Sequence, residues 1–570
     1  VAFTKKQSSR RSRAPSPLAE IAKRLGISAL RPGQQEVIES VLAHRNTLAI
    51  MPTGAGKSFC YQLPALYLPG ITVIVSPLIS LMQDQAQKLQ DAGVEAAQLN
   101  SAFSAGEQER AMHDIARAAS EFVFTTPERL SDPEFMETLK RNHIDLLVVD
   151  EAHCISQWGH DFRPAFLDIR AAREALGNPP VLALTATATS EVIDDIRKQL
   201  GTPDMQVINT GVYRQNLQYQ VVHAVSEEEK LARVRQLTQS TRGSLIVYTA
   251  TVKAAEAVFE MLSEAGEAVT RYHGRLPTKE RTRNQEQFMS GEARVMVASN
   301  AFGMGIDKPD IRGVIHYQMP GSIESYYQES GRAGRDNDPA ACTLIYHLAD
   351  RRVHQFFMAK RYPSADELWQ VYCALMADEP GPVEISFEAL GEALPALAAN
   401  KLRVALHLLD DAEIVSSGAG HAYRLVKRGL KLEDMEETVR PYRERSDQDR
   451  EKLERMVFYA QTGMCRWKVL LTYFGDSVEW TRCGTCDNCL RPPPEPPPPP
   501  RKEQIVTLRA EESRFHSGDA VRVAKFGEGR VVQVAGERVT IQFPDSAKRT
   551  FLSDYVSPMN EQGSDRVGAA

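Results

Sequence analysis

The chain has 570 residues, 42% of them apolar and 25% charged, a length that predicts several domains and a composition that excludes disordered and collagen-like proteins. Its 68 basic and 74 acidic residues leave a net charge of −6, so bulk electrostatics do not mark it as a nucleic-acid binder. No stretch reaches the roughly 18 uninterrupted apolar residues of a membrane helix, and the opening VAFTKKQSSRRSRAPSP lacks the apolar core of a secretory signal, so a soluble, cytoplasmic protein is expected.

Residues 1–17 read as a Ser-rich basic tail carrying Lys5, Lys6, Arg10, Arg11 and Arg13, either simply solvated or a DNA-binding arm. From Asn46, short apolar runs bounded by turn residues alternate with helical patterns: NTLAI, ITVIVS, EFVFT, DLLVV and VLALT, then SLIVY, VMVAS, GVIHY and CTLIY. That alternation predicts a multidomain α/β protein with two tandem parallel-sheet lobes, 18–208 and 209–346, facing each other over a cleft. Within 347–430, Leu402, Ala405, Leu406 and Leu409 form a core-facing helical stripe, and IVSSGAGHAYRLV reads as two short strands. Two helices followed by a hairpin make this region a winged-helix candidate, with an ordinary helical spacer as the alternative. A charged helix and a cysteine cluster occupy 431–491, and RPPPEPPPPPRK, with eight prolines, marks an extended linker within 492–510. Residues 511–560 alternate apolar and polar positions between Gly-containing turns, predicting a small all-β domain before the tail 561–570.

MPTGAGKS follows the strand NTLAI and precedes a helix. Gly54 and Gly56 let backbone N–H groups curl around a phosphate, Lys57 reaches the terminal phosphates, and the Ser58 hydroxyl can ligate Mg²⁺. Met51 stands where the strict phosphate-loop pattern has its first glycine. LLVVDEAH ends a strand at Asp150 and Glu151, acids placed to hold Mg²⁺ and to polarise the attacking water. In YYQESGRAGRD, Arg332 and Arg335 are three residues apart and are expected on one face of a helix, reaching across the cleft to the γ-phosphate.

With LRPGQ, SPLISLMQDQ, TPERL, DEAHCISQWGHDFRP, LTATAT, AFGMGIDKPD and QESGRAGRD added, the chain closely resembles RecQ-type superfamily 2 helicases over roughly residues 18–350, and again at CRWKVLLTYFGD and CDNCL. The resemblance implies RecA-like lobes and an ATP- and Mg²⁺-dependent DNA helicase moving 3′ to 5′ on single-stranded and forked or tailed duplex DNA, in repair or recombination. It adds Thr53 to the phosphate site and Gln328 to the catalytic set, and it puts Gln34 on the adenine edge with Arg31 beside the ring. Near that ring the family has aromatics, whereas this chain has Ile27 and Leu30. SQWGHDFRP resembles the family's aromatic-rich loop, implying that Trp158, His160, Phe162 and Arg163 contact DNA, with the exposed rings stacking on bases.

Four cysteines, Cys60, Cys154, Cys342 and Cys373, are expected as core thiols. Cys465, Cys483, Cys486 and Cys489 form a C-x₁₇-C-x₂-C-x₂-C cluster, whose spacing alone suits zinc or an iron–sulfur centre. Its likeness to the RecQ zinc-binding subdomain implies structural Zn²⁺. RecQ proteins place a winged helix after that module; here the candidate precedes it, and the hairpin near Ser416–Leu425 becomes the expected strand separator. HSGD, FGEGRVV and IQFPDSAKR resemble the Tudor-like C-terminal domain of UvrD- and PcrA-type helicases, implying a docking module for a protein partner such as RNA polymerase. Two other functions stay open on sequence: an RNA helicase, and an ATP-switched DNA-bound adaptor that does not unwind processively.

Overall fold

The structure, a computed structural model, describes residues 18–27, 29–100, 103–117, 119–156, 161–299, 302, 307–361, 363–376, 384–417, 422–491 and 514–559. The chain divides into two compact units, 1–493 and 494–570.

The first lobe is a seven-stranded sheet of β1 (Thr47–Ile50), β2 (Ile71–Val75), β3 (Ala96–Leu99), β4 (Phe122–Thr125), β5 (Ile144–Val149), β6 (Val181–Thr185) and β7 (Gln206–Asn209). Its order is β3-β4-β2-β5-β6-β1-β7 and every pairing is parallel. Parallel strands need crossover helices on the sheet faces, and the five inner strands are buried along their whole length, which is why they read as continuous apolar runs. The second lobe repeats the plan with β8 (Leu217–His223), β9 (Ser244–Thr249), β10 (Val269–Tyr272), β11 (Val295–Ser299), β12 (Ile311–His316) and β13 (Ala340–Tyr346), ordered β10-β11-β9-β12-β13-β8 and again parallel.

After the lobes come the helix Ala365–Leu375, β14 (Glu384–Ser386), helices Phe387–Ala393 and Ala399–Asp411, then β15 (Val415–Ser417) and β16 (Ala422–Leu425). The small antiparallel sheet has the order β14-β16-β15, so its first strand pairs with its last, as a winged helix requires. Leu402, Ala405, Leu406 and Leu409 are all buried in this region's own core, with Leu368 and Tyr372. The hairpin tip, 418–421, lies outside the described residues.

The thirty-residue helix Leu432–Gln461 returns to the second lobe and buries Leu453, Met456 and Tyr459 there. The helix Arg466–Tyr473 adds Trp467 and Leu470 to the same cluster, which also contains Tyr219, Met296 and Tyr326. Trp467 is fully buried, and its indole Nε1 donates to the Leu217 carbonyl at 3.1 Å. The cysteine module and the second lobe therefore share one core. Among the described residues no helix is long and apolar enough to cross a membrane.

The second unit is one antiparallel sheet of β17 (Ala520–Val523), β18 (Gly527–Ala535), β19 (Arg538–Gln542), β20 (Lys548–Leu552) and β21 (Ser557–Pro558), ordered β20-β19-β18-β17-β21. Its inward positions, among them Val521, Val523, Val531, Val539 and Ile541, close over Phe515 and Phe543. Gly529 is required there, because a Cβ would stand 2.5 Å from the Ile541 side chain.

Candidate nucleotide site and cysteine cluster

The loop between β1 and the helix Phe59–Tyr67 turns through two left-handed glycines, Gly54 at φ 79° and Gly56 at φ 75°. Gly56 has a second reason to be glycine: a Cβ would stand 2.7 Å from the Gln34 amide nitrogen. Met51 is fully buried, with its sulfur 3.7 Å from the Cys60 thiol, and its carbonyl accepts from Lys57 Nζ at 3.3 Å. Burial lowers the Lys57 pKa, while Glu151 and Asp150 act in the opposite direction. A cavity of about 330 Å³ opens over this loop, lined by Arg31, Thr53, Gly54, Gly56, Lys57 and Ser58.

Asp150 follows β5 on the cavity wall. Burial, with the charge of Glu151 added, pushes its carboxyl up to about 7. Glu151 is a non-glycine residue in the left-handed region, at φ 49°, and its backbone N–H donates to Asp150 Oδ1 at 3.0 Å. Its Oε2 lies 3.4 Å from His153 Nδ1, and the same nitrogen is 3.1 Å from the Thr185 hydroxyl at the end of β6. A half-buried carboxylate pair beside an ammonium and a serine hydroxyl is a donor set that suits Mg²⁺ with a phosphate chain, and the left-handed glycines leave the room such a chain needs.

The second lobe supplies Gln328, Arg332 and Arg335 to the same cavity. The arginines are not on a helix as expected. The helix Ile323–Ser330 stops at Gly331, and Gly334 at φ 56° turns the chain, so both guanidinium groups project from the turn that follows. Arg335 pairs with Asp307 at 2.8 Å, and Asp307 also takes Lys88 of the first lobe at 3.1 Å. Burial lowers the Arg335 pKa, with Arg332 contributing. The lobes touch where the Thr53 hydroxyl donates to the Gly331 carbonyl at 2.9 Å. His153, Asp307 and the linker residue Arg214 escaped the sequence reading; the first two stand inside the quoted DEAH and GMGIDKPD runs, which was the available signal.

Gln34 is placed behind the phosphate loop, not in the cavity. Its Oε1 accepts from the Arg31 N–H at 2.7 Å, and its Nε2 donates to the carbonyls of Ala55 and Gly56, both at 2.9 Å. The residue is 1% exposed, and these three bonds tie its amide to the loop. Arg31 does line the cavity and donates to the Gly54 carbonyl. Trp158 and His160 lie outside the described residues. Phe162 is half-buried, and Arg163 donates to Pro77 O at 3.1 Å and pairs with Asp161 at 3.3 Å, Asp161 being itself part of the cavity wall.

The Sγ atoms of Cys465, Cys483, Cys486 and Cys489 all lie within 4.8 Å of one another, with Cys483 and Cys489 at 3.9 Å. Tetrahedral zinc with ~2.3 Å bonds needs sulfurs about 3.8 Å apart, so the cluster fits the ion. Backbone N–H groups of Arg466, Cys483 and Thr485 point at the sulfurs of Cys486, Cys465 and Cys483 at 3.3–3.4 Å, as thiolate ligands require. Of the other four cysteines, Cys60, Cys154 and Cys342 are buried, and burial pushes the Cys60 and Cys342 thiols up to about 12. Cys373 is exposed, against expectation, on the outer face of its helix. A second ligand-like group, Glu227, His347 and Asp350, is paired with the buried ammonium of Lys230, 2.8 Å from Asp350 and 3.3 Å from Glu227.

Two parallel-sheet lobes that jointly wall a phosphate-loop cavity define a two-lobed helicase motor. Residues 31–196 match the DEAD/DEAH box helicase family, 229–337 the helicase conserved C-terminal domain and 428–490 the RecQ zinc-binding domain. The chain is 37% identical to the ATP-dependent DNA helicase RecQ of Bacillus subtilis, over 82% of its own length and 66% of that protein's. It is 37% identical to the probable helicase RecS of the same organism, over 80% and 87% of the two lengths, and 34% identical to RecQ of Synechocystis, over 83% and 98%. The chain therefore belongs to the RecQ family of ATP-dependent DNA helicases, with ATP, Mg²⁺ and Zn²⁺ as its cofactors. Among solved structures, the DUF1998 helicase MrfA bound to DNA superposes with a TM-score of 0.50 at 17% identity, covering 74% of this chain and 64% of that one. Yeast (S. cerevisiae) Dbp5 bound to RNA and ADP BeF3 gives 0.50 at 21%, covering 59% and 88%. These two likenesses concern the fold alone.

Proposed function

We propose that the chain hydrolyses ATP between its lobes and uses the cycle to move 3′ to 5′ along single-stranded DNA and separate forked or tailed duplexes, in repair or recombination within the cytoplasm. The observation that carries this reading is the convergence on one cavity of Lys57, Asp150 and Glu151 from the first lobe with Gln328, Arg332 and Arg335 from the second. Lys57 exchanges the Met51 carbonyl for the terminal phosphates. Glu151, held by His153, orients water toward the γ-phosphate and takes up its proton. Arg332 and Arg335 meet the charge that develops as the phosphoryl group leaves, in a site where burial makes that attraction strong. Ser58 and Asp150 would hold Mg²⁺, which when bound neutralises phosphate charge. Because the cavity has walls from both lobes, its filling closes the cleft and its emptying opens it, and that motion advances the lobes along the DNA backbone.

The aromatic-rich loop supports the DNA side of the reading. Arg163 and Asp161 run from it to the cavity wall, so a loop that stacks on bases through Trp158 and Phe162 has a route to Glu151. The wing between β15 and β16 separates the strands, and the β unit docks a protein partner, RNA polymerase being the one that its likeness to UvrD- and PcrA-type helicases suggests. The direct test is steady-state ATPase with single-stranded DNA. Lys57→Ala and Glu151→Gln should each lower kcat by about a hundredfold or more, Glu151→Gln with nucleotide affinity kept. A normal DNA-stimulated rate in Lys57→Ala overturns the assignment.

A further inference from the structure

The linker 210–216 between β7 and β8 carries a buried cation that the hydrolysis scheme leaves without a task. Arg214 is 8% exposed, and among the described residues no carboxylate pairs with its guanidinium. Nη1 donates to the Gly331 carbonyl at 2.7 Å, and Nη2 donates to the carbonyls of Ala333, at 2.9 Å, and Gly334. These three carbonyls belong to the turn that projects Arg332 and Arg335. Carbonyls in the turn beyond a helix end have no intrahelical donor, and a planar fork of N–H groups is the side chain best shaped to collect several at once. Asn216 adds a bond from Nδ2 to the Gly334 carbonyl at 2.8 Å, and the Gly331 carbonyl also takes the Thr53 hydroxyl of the phosphate loop. One peptide group thus joins the phosphate loop, the linker and the arginine turn.

The linker is gripped in turn by the cysteine module. Asp476 accepts from the Val212 N–H at 2.6 Å and from the Asn209 amide at 3.2 Å, while Trp467 donates to the Leu217 carbonyl. Between those two holds the Tyr213 ring packs against Trp467 and Trp480, at centroid distances of 4.9 and 5.3 Å. Arg214 sits inside the clamped stretch, so its position is fixed from the module's side.

We propose that Arg214 is a positioning residue for ATP hydrolysis, holding the turn of Arg332 and Arg335 in register with the phosphate loop, and that the cysteine module sets that register through Asp476 and the linker. The module is then part of the hydrolytic apparatus, not an appendage to it. The proposal rests on the reading that the two arginines act on the γ-phosphate; the Arg335→Ala single variant, measured alongside, separates a failure of that reading, which leaves its kcat normal, from a failure of this one.

The test is a double-mutant cycle on the full chain in its zinc-loaded form, with kcat, KM for ATP, thermal midpoint and zinc content read for each variant. Arg214→Ala should lower kcat by about tenfold or more with KM held within about threefold, and should cost nothing further in an Arg335→Ala background. A role limited to stability would move the midpoint and leave kcat of the folded fraction intact; that result, or losses that multiply in the double variant, overturns the proposal. Asp476→Ala keeps the four cysteines and removes the acceptors for the Val212 N–H and the Asn209 amide. It should lower kcat by about threefold or more at unchanged zinc content, again without additivity. A normal kcat in Asp476→Ala removes the module from the scheme even where Arg214→Ala fails to fold.

Discussion

Met51 occupies the place where a strict phosphate loop has glycine, and the structure gives that exception a physical reason. Its side chain is fully buried in the first lobe's core with Val37, Ala49 and Cys60, and its carbonyl parks the Lys57 ammonium. Met51→Ala should destabilise the chain by about 2–5 kcal/mol through the cavity it leaves, while KM for ATP stays close to wild type, because the main chain makes the contact with Lys57. Thermal or denaturant unfolding together with ATPase kinetics checks both halves; a large rise in KM would place the side chain in the nucleotide site. Gln34 shows the limit of reading at this scale. Its presence beside the phosphate loop was legible, but an amide has a donor and an acceptor that serve a ligand or a backbone equally well. Sequence alone does not choose between them, and in this structure the amide bonds to the loop.

The elements missed from sequence share a position. The apolar runs located β1, β2, β4, β5 and β6 in the first sheet and β9, β11, β12 and β13 in the second, all of them inner strands. β3, β7, β8 and β10 were not found, and each is an edge strand of its sheet. A central parallel strand is covered on both faces and paired on both sides, so most of its residues are apolar. An edge strand keeps one side open and mixes in polar residues, as Gln206–Asn209 and Val269–Tyr272 do with only one buried residue apiece. β14 was missed for another reason, since three residues are too few to show a period. It matters nonetheless, because pairing with β16 anchors the wing to the body of its domain. Shortening the hairpin between Ser417 and Ala422 should therefore slow unwinding of a forked duplex by about tenfold while leaving DNA-stimulated ATPase within about twofold, since the cavity shares no residue with this sheet. Unwinding at the wild-type rate would assign strand separation elsewhere.

At the scale of the molecule, composition pointed to several domains and away from nucleic acid, and only the first inference holds. A net charge of −6 averages over lobes, module and tail, whereas a motor that must release DNA in every cycle grips it through a few local contacts. The motifs recovered what the average concealed, because a phosphate loop, an acid pair at a strand end and two arginines have spacings that are fixed by the phosphate chain they serve. The joining of the cysteine module to the second lobe was not legible, since Trp467 and Tyr219 lie far apart in sequence and meet only in the folded core. The measurement that bears most directly on the whole reading is ATP-driven unwinding of matched 3′-tailed, 5′-tailed and forked DNA duplexes beside their RNA counterparts. Wild-type chain should separate the 3′-tailed and forked DNA and leave the 5′-tailed DNA and all RNA duplexes intact, with no separation by Lys57→Ala. ATP hydrolysis without separation of any DNA duplex, or separation of RNA alone, would contradict it.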